Sequence, residues 1–278
     1  GIYGLSLMTI FWALVPGYLF VEKCKVKKNT ILAIACTSVI ASAAFGTYRL
    51  QQNPTEYHDD IQIKVVQANI RQSDKWNPQK YNENFQTYLR LSEKQPSEPD
   101  IATLVIWPET ATGDYFLPYG TFESQLKNSL KTYRQSFLIS GYLQITDPNE
   151  NDSEEGFKNS LIAFDQQLDK ISSYDKSHLV PFGEYIPFQK YIPLAPVTNF
   201  RGLIPGEKPH DMQVTQNLSF IPLVCYEVIF PKLSSRRNCQ KNNDLQLIIN
   251  VTNDAWYGQS TGPYQHLSIT RFRAIEQG

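Results

Sequence analysis

Ile221-Pro222-Leu223-Val224-Cys225-Tyr226-Glu227-Val228-Ile229-Phe230-Pro231 reads as an apolar strand that ends in a cysteine, with a helix-like stretch starting at once from Tyr226. A strand–turn–helix elbow of this kind presents a nucleophile beside a helix N-terminus, where the macrodipole favours a thiolate. Taken alone, a cysteine at the end of an apolar strand reads equally well as a small buried structural residue. The elbow therefore needs partners, and two other segments offer them.

Leu104-Val105-Ile106-Trp107-Pro108-Glu109-Thr110 is a short buried strand that ends at a proline and delivers a carboxylate. By itself Glu109 fits a surface acid or an N-cap as well as a base. Tyr174-Asp175-Lys176-Ser177-His178-Leu179-Val180-Pro181-Phe182-Gly183-Glu184-Tyr185-Ile186-Pro187 places Lys176 after a strand and before a loop dense in proline, glycine and aromatic residues. A lone lysine is usually solvated. His178 is a candidate base in the same loop, with a structural hydrogen-bonding role as the competing reading. Together the segments say more than any one of them. A thiol nucleophile needs a base to remove its proton and a cation or donor to hold the oxyanion. Glu109, Lys176 and Cys225 each follow an expected strand, at the end where α/β folds assemble their sites.

The surrounding pattern supports such a fold. Residues 61–70 alternate as a strand, 78–95 form an amphipathic helical pattern, and 104–107 read as a buried strand. Residues 121–133 follow as a helix, 137–145 and 161–174 as strands with a hairpin turn near 165–169, and 221–224 and 245–251 as buried strands. Residues 263–277 close with a helical pattern. Strands alternating with helices imply an α/β layered domain.

The N-terminal part differs. Residues 1–20 and 29–48 carry no charge, and twenty helical residues reach about 30 Å, the hydrocarbon thickness of a bilayer. Both read as transmembrane helices, with the small residues of the second (Ala33, Ala35, Ser38, Ala41, Ser42) suited to close packing in lipid. A signal peptide followed by a core helix is the alternative; a second uncharged span argues against it. Lys23, Lys25, Lys27 and Lys28 face a single acid, Glu22, between the spans, which points to a cytoplasmic loop. Residues after about 49 are then expected outside the cytoplasm, the periplasm of a Gram-negative cell. The resulting organisation is 1–48 membrane helices, 49–60 linker and 61–278 catalytic domain. A start at Gly1 and a stop at Gly278 within a helical pattern suggest a piece of a longer protein.

Net charge of -1 argues against a nucleic-acid partner. The four cysteines, Cys24, Cys36, Cys225 and Cys239, form no metal-binding spacing. Cys24 and Cys36 are expected to be buried. Cys239 falls in a polar loop, and a Cys225–Cys239 disulfide would consume the candidate nucleophile. No metal or organic cofactor is implied.

The Glu–Lys–Cys order and its local motifs resemble the nitrilase superfamily and, within it, the apolipoprotein N-acyltransferase family. The matching words are Val66-Gln67-Ala68-Asn69-Ile70, Lys75-Trp76, Trp107-Pro108-Glu109-Thr110, Asp175-Lys176 with Pro181-Phe182-Gly183-Glu184-Tyr185, and Val224-Cys225-Tyr226-Glu227. Asn253-Asp254-Ala255-Trp256-Tyr257-Gly258, Gly262-Pro263-Tyr264-Gln265-His266 and residues 271–278 complete the series. The match to Trp76 is weaker, because Arg71 stands where the family usually has proline. The resemblance implies a four-layer αββα sandwich set between the last two of several transmembrane helices, with a final strand and helix beyond Gly278. It implies Glu109 as base, Lys176 as oxyanion stabiliser and Cys225 as nucleophile, with Trp76, Glu184, Tyr226 and Glu227 as substrate-binding residues. Glu184 is read either as orienting Lys176 or as shaping the pocket. The implied partners are a phospholipid acyl donor and a diacylglyceryl-modified apolipoprotein acceptor at the bacterial inner membrane. The aromatic loops 114–119 and 182–200 are candidates for an entry facing the bilayer, and Trp256 and Tyr257 for the site or the core. A membrane-tethered amidase using the same three residues, and a non-catalytic lipoprotein-binding module, are the competing functions.

Overall fold

Successive side chains of a strand point to opposite sides, so the parity of apolar residues decides which layer each strand contacts. In the computed structural model, which describes residues 1–54, 57–95, 100–114, 120–146, 156–187, 203–235 and 245–277, that parity builds a four-layer sandwich. The elements in order are α1 (Ile2–Val21), α2 (Lys25–Gln52), β1 (Ile61–Val65), α3 (Gln72–Lys75), α4 (Tyr81–Ser92), β2 (Ala102–Ile106), β3 (Thr112–Gly113) and α5 (Gly120–Leu130). They continue as β4 (Gln135–Thr146), β5 (Gly156–Phe164), β6 (Lys170–Asp175), β7 (Met212–Thr215), β8 (Leu218–Val224), α6 (Pro231–Ser234), β9 (Leu245–Val251) and α7 (Gly262–Gln277).

The first sheet has six strands in the order β1-β2-β4-β5-β6, with β3 beside β4. The second has β7-β8-β9. Leu104, Ile106, Phe137, Ile139, Leu161 and Ala163 of the first sheet meet Met212, Leu218, Phe220, Val224, Ile249 and Val251 of the second. The intervening residues of the same strands, Val105, Trp107, Leu138, Ile162 and Phe164, pack outward against Phe85 and Tyr88 of α4 and Leu126 and Leu130 of α5. On the far side Ile221, Leu223 and Ile248 pack against Val228, Leu233 of α6 and Ile269 of α7. The order is therefore helix, sheet, sheet, helix.

Several elements differ from the sequence expectation. The first strand stops at Val65 instead of residue 70, because the chain turns through Asn69 at φ 52 into α3. The helix expected from residue 78 opens as a 3-10 turn, Pro78–Lys80, before α4. β7 and β8 form a hairpin whose first strand was not legible. The turn expected near 165–169 is present: the Asp169 carbonyl accepts from the Asp165 N–H at 3.1 Å, with Leu168 at φ 62.

Gly1–His58 and Asp59–Gly278 are separate compact units. In the first, α1 and α2 are both long and apolar enough to cross a membrane, and protein covers almost none of either. This supports membrane association. The Trp12 indole donates to Ser38 Oγ at 2.9 Å, joining the two helices at one of the small residues. α2 begins earlier than expected, so Lys25, Lys27 and Lys28 lie in its first turn, where lysine is a good helix former. It also runs on to Gln52, into the expected linker. Cys24, at the start of α2, and Cys36, within it, are exposed and not buried, because little of either helix is covered by protein.

Phe220 is fully buried between the sheets. Truncation there leaves a cavity in the central layer, so Phe220→Ala is expected to lower stability by about 3–5 kcal/mol, measured by urea unfolding of the detergent-solubilised chain.

Candidate active site

β2 and β6 point the same way, since β2 is parallel to β4 while β4–β5 and β5–β6 are antiparallel. Their carboxyl ends deliver Glu109 and Lys176 to one edge of the first sheet. Cys225 follows β8 of the second sheet and faces them. All three are buried, with exposures of 8% for Glu109, 1% for Lys176 and 3% for Cys225.

Each side chain is held by named partners. Glu109 Oε1 accepts from Asn159 Nδ2 at 2.7 Å and Oε2 from the Asn253 N–H at 3.0 Å. The Asn159 carbonyl also accepts from the Lys176 N–H at 2.8 Å, so one residue of β5 ties Glu109 to Lys176. Lys176 Nζ donates to Glu184 Oε1 at 2.7 Å, and Glu184 Oε2 accepts from the Val180 N–H at 2.8 Å. Of the two readings of Glu184, orientation of Lys176 is the one these contacts match. Burial opposes the charge on Lys176, but Glu109, Cys225 and Glu184 outweigh it and hold its pKa above the usual lysine value. These neighbours favour the ammonium form of Lys176.

The elbow differs in kind from the sequence expectation. A five-residue 3-10 helix, Cys225–Ile229, follows β8 and ends before α6. Its dipole is too short to dominate. Burial first, then the Glu109 charge, pushes the Cys225 thiol up, against the pull of Lys176 and Thr252. The resting cysteine is a thiol that needs a base. It sits at φ 55, a left-handed conformation that strains a side-chain-bearing residue and turns its thiol out of the strand line. Thr110, next to Glu109, is left-handed too, at φ 46. The loop carrying Glu109 lies against Gly141 of β4, where a Cβ would come within 2.4 Å of the Pro108 carbonyl and 2.5 Å of Glu109 Cα.

The expected substrate-binding residues separate into two groups. Tyr226 is 38% exposed beside the nucleophile, its ring edge-on to Phe230 at 5.8 Å. Trp76 is half-buried over Lys75 Nζ, at 5.6 Å from the ring centre. Glu227 is different, because it is fully buried and out of reach of a ligand. Its Oε2 accepts from the Val224 N–H at 2.9 Å. Its Oε1 accepts from Tyr174 Oη at 2.7 Å, Ser177 N at 2.9 Å and His178 N at 3.0 Å. These contacts make Glu227 an internal bracket between the two sheets. Trp256 and Tyr257 lie at the surface, 37% and 42% exposed, and not in the core. His178 packs on Phe230 at 4.9 Å, with Nδ1 near Ser177 Oγ at 3.3 Å. Residues 115–119, 188–200 and Cys239 lie outside the described residues. Of the two candidate entry loops, Asp114 is tied down by Tyr142 Oη at 2.8 Å and Ile145 N at 2.6 Å. Phe182 and Tyr185 are exposed.

Sequence reasoning missed Asn159, which no motif marks, and Gly141, whose role lies in another strand's loop. It also passed over Lys75, although Lys75 lies in a matching word. Lys75 is buried, and Nζ donates to the Glu109 carbonyl at 2.8 Å. Burial lowers its pKa to about 8, despite the attraction of Glu109 and Cys225. Among the described residues no group of three or more His, Cys, Asp or Glu side chains is arranged to hold a metal ion.

A sequence profile of carbon-nitrogen hydrolases matches residues 62–278. The chain belongs to the carbon-nitrogen hydrolase family. Among curated relatives, this hydrolase-family chain is 35% identical over 285 residues to the apolipoprotein N-acyltransferase of Rickettsia typhi, covering 100% of this chain and 53% of the relative. The apolipoprotein N-acyltransferases of Rickettsia bellii and Rhodopseudomonas palustris are 36% and 31% identical, with 53% and 52% of each covered by the whole of this chain. The chain spans about half the length of the curated relatives it matches. Among solved structures, a branch 10 nitrilase-superfamily protein of Saccharomyces cerevisiae superposes with a TM-score of 0.50 at 22% identity, covering 77% of this chain and 72% of that one. A CN-hydrolase superfamily protein of Xanthomonas campestris does so with a TM-score of 0.50 at 19% identity, covering 77% and 71%. These two confirm the sandwich fold.

Two outcomes follow from the geometry. Gly141→Ala is expected to displace the Glu109 loop and to slow Cys225 acylation by about a hundredfold, the scale associated with misplacing a reacting group by about 1 Å. Rapid-quench acylation of the folded variant measures this. For Lys75, the folded pKa of about 8 lies below the free value of 10.5. Between these values the unfolded chain binds more protons, so this residue makes stability rise with pH. Lys75→Met is expected to flatten that rise in urea midpoints measured across the window.

Proposed function

We propose that this chain acts as a membrane-bound N-acyltransferase. It moves a fatty acyl chain from a phospholipid, through a thioester on Cys225, to the N-terminal amine of a diacylglyceryl-modified cysteine on an apolipoprotein. The observation that carries this reading is the extent of the similarity. Relatives named apolipoprotein N-acyltransferase align with 100% of this chain at 34–36% identity, the two apolar helices included. The buried Glu109, Lys176 and Cys225 cluster supplies the chemistry.

In the proposed reaction Glu109 takes the proton of Cys225, and the thiolate attacks the ester carbonyl of the donor. Lys176 Nζ and a backbone N–H beside Cys225 hold the tetrahedral oxyanion. Collapse breaks the ester C–O bond. The departing lysophospholipid oxygen takes the proton from Glu109, leaving the acyl group on sulfur. The acceptor amine, with a pKa of about 8, then attacks the thioester carbonyl. Glu109 takes a proton from the amine as the C–N bond forms, and returns it to the departing thiolate. The amide product leaves with Cys225 restored as a thiol. A second function for the buried site is to exclude water, since hydrolysis of the thioester would turn the transferase into an amidase-type enzyme.

Both substrates carry lipid chains, so a site attached to membrane helices suits them. The lysines between α1 and α2 favour a cytoplasmic position for that turn. The catalytic unit then lies on the opposite, periplasmic side of a bacterial inner membrane.

Intact mass spectrometry of the full chain in phospholipid vesicles, without acceptor, tests the scheme. The expected result is an added fatty-acyl mass that hydroxylamine removes. It is absent from Cys225→Ala and formed at least about a hundredfold more slowly by Glu109→Gln. A folded protein with Cys225 persistently unmodified would rule the scheme out. Adding a diacylglyceryl lipopeptide then separates transfer from hydrolysis, by whether the acyl group is recovered as amide or as free acid.

A further inference from the structure

α7 carries His266 to the carbonyl side of the elbow. Its Nε2 lies 3.0 Å from the Cys225 carbonyl oxygen, and its Nδ1 lies 2.9 Å and 3.1 Å from the two carboxylate oxygens of Asp254. A backbone carbonyl and an ionised carboxylate accept hydrogen bonds and donate none. Both ring nitrogens must therefore carry protons, which makes His266 an imidazolium. The residue is 9% exposed, so protein groups supply the partners of its ring. The Asp254 bond raises its pKa above the ordinary histidine value; burial opposes this, and the Asp254 charge, the Cys225 carbonyl and Glu109 add to the rise.

The carbonyl that His266 binds belongs to the same peptide unit as the Tyr226 N–H. That N–H lies in the first turn of the 3-10 helix, where no helical carbonyl precedes it. A hydrogen bond to one end of an amide polarises the whole unit and strengthens the donor at the other end. The same bond fixes the orientation of a peptide whose first residue sits at φ 55. Asn250 supports the same carbonyl, with its amide nitrogen turned toward Cys225 O at 3.3 Å and Leu223 O at 3.2 Å.

We propose that His266 is a positioning residue for acyl transfer: held doubly protonated by Asp254, it orients and polarises the Cys225–Tyr226 peptide so that the Tyr226 N–H becomes the second oxyanion donor beside Lys176. This rests on the thioester reading above and names the donor it needs. A Cys–His–Asp triad with His266 as base is a different arrangement. There the imidazole would bind Sγ and offer a lone pair, whereas this ring binds the carbonyl and has none to offer.

The chain has four histidines, few enough for selective 15N labelling. At neutral pH, NMR of the full chain in detergent is expected to show one ring with both nitrogens protonated, lost in His266→Gln. Two rates at Cys225 are then compared. Acylation by a nitrophenyl ester of a fatty acid builds an oxyanion; alkylation by iodoacetamide does not. Removing an oxyanion donor slows catalysis about 100- to 1000-fold, and weakening one should slow it less. His266→Phe is expected to reduce acylation about tenfold or more while alkylation stays within about twofold. His266→Gln, which keeps a donor, should recover part of the loss. A His266 ring with an unprotonated nitrogen would overturn the proposal. Unchanged acylation in the Gln and Phe variants, or equal losses in both rates, would do so too. Should the Phe variant fail to fold, the wild-type spectrum and the Gln variant still decide. The activated ester keeps this result separate from the identity of the natural donor: wild-type acylation by the ester but not by phospholipid would count against the donor assignment alone.

Discussion

The carboxylate of Glu227 ties together the parts on which the site depends. One oxygen is bound to the last residue of β8, before the nucleophile; the other is bound to Tyr174 and to the backbone just after Lys176. A charge with no solvent exposure is tolerable only when its lone pairs are filled, and here the donors come from both sheets. Packing between the sheets is nondirectional, so it brings the layers together without fixing how one slides over the other. The hydrogen bonds of Glu227 are directional and set the distance between the end of β6 and the end of β8. Lys176 and Cys225 inherit that spacing.

Around this bracket the site holds several buried charges in a small volume. Lys176 is stabilised by Glu184 and by the acids facing it, and remains an ammonium. Cys225 is pushed toward the neutral thiol by burial and by Glu109. Lys75 has a carbonyl and a tryptophan ring as its partners, and its charge is correspondingly less secure. His266 and Asp254 place a further pair behind the elbow. In such an interior the protonation of each group depends on its neighbours, and the Glu109 carboxylate facing Cys225 is held in place by Asn159 and Asn253.

The N-terminal helices add a physical constraint of a different kind. They carry apolar surface of which the described residues cover only a small part, and such surface is stable only against lipid or other helices. A domain with this attachment stays near the bilayer. The exposed aromatic residues Tyr226, Trp256, Tyr257 and Phe182 around the elbow and its neighbouring loops would be unusual choices for a purely aqueous site.

The strands were legible in the sequence because an apolar run is a local property. Residues 104–107 read directly as a buried strand from their unbroken apolar run, as do the uncharged helices from their composition, while the face each residue takes came from the packing. Glu109, Lys176 and Cys225 were legible because each ends an apolar strand. The roles of residues acting across layers were not. Glu227 reads in sequence as a neighbour of the nucleophile, and only its burial among donors from β6 shows that it faces inward. Asn159, Gly141 and the pairing of His266 with the Cys225 carbonyl have no local signature, since each is defined by a partner between 32 and 50 residues away. The sequence alone determined the apolar strands, the two uncharged helices and the residues that follow those strands, through periodicity and residue chemistry. The protonation of those groups, and the brackets that hold them, were decided by the tertiary structure, because desolvation and hydrogen-bond geometry exist only once distant segments are packed together.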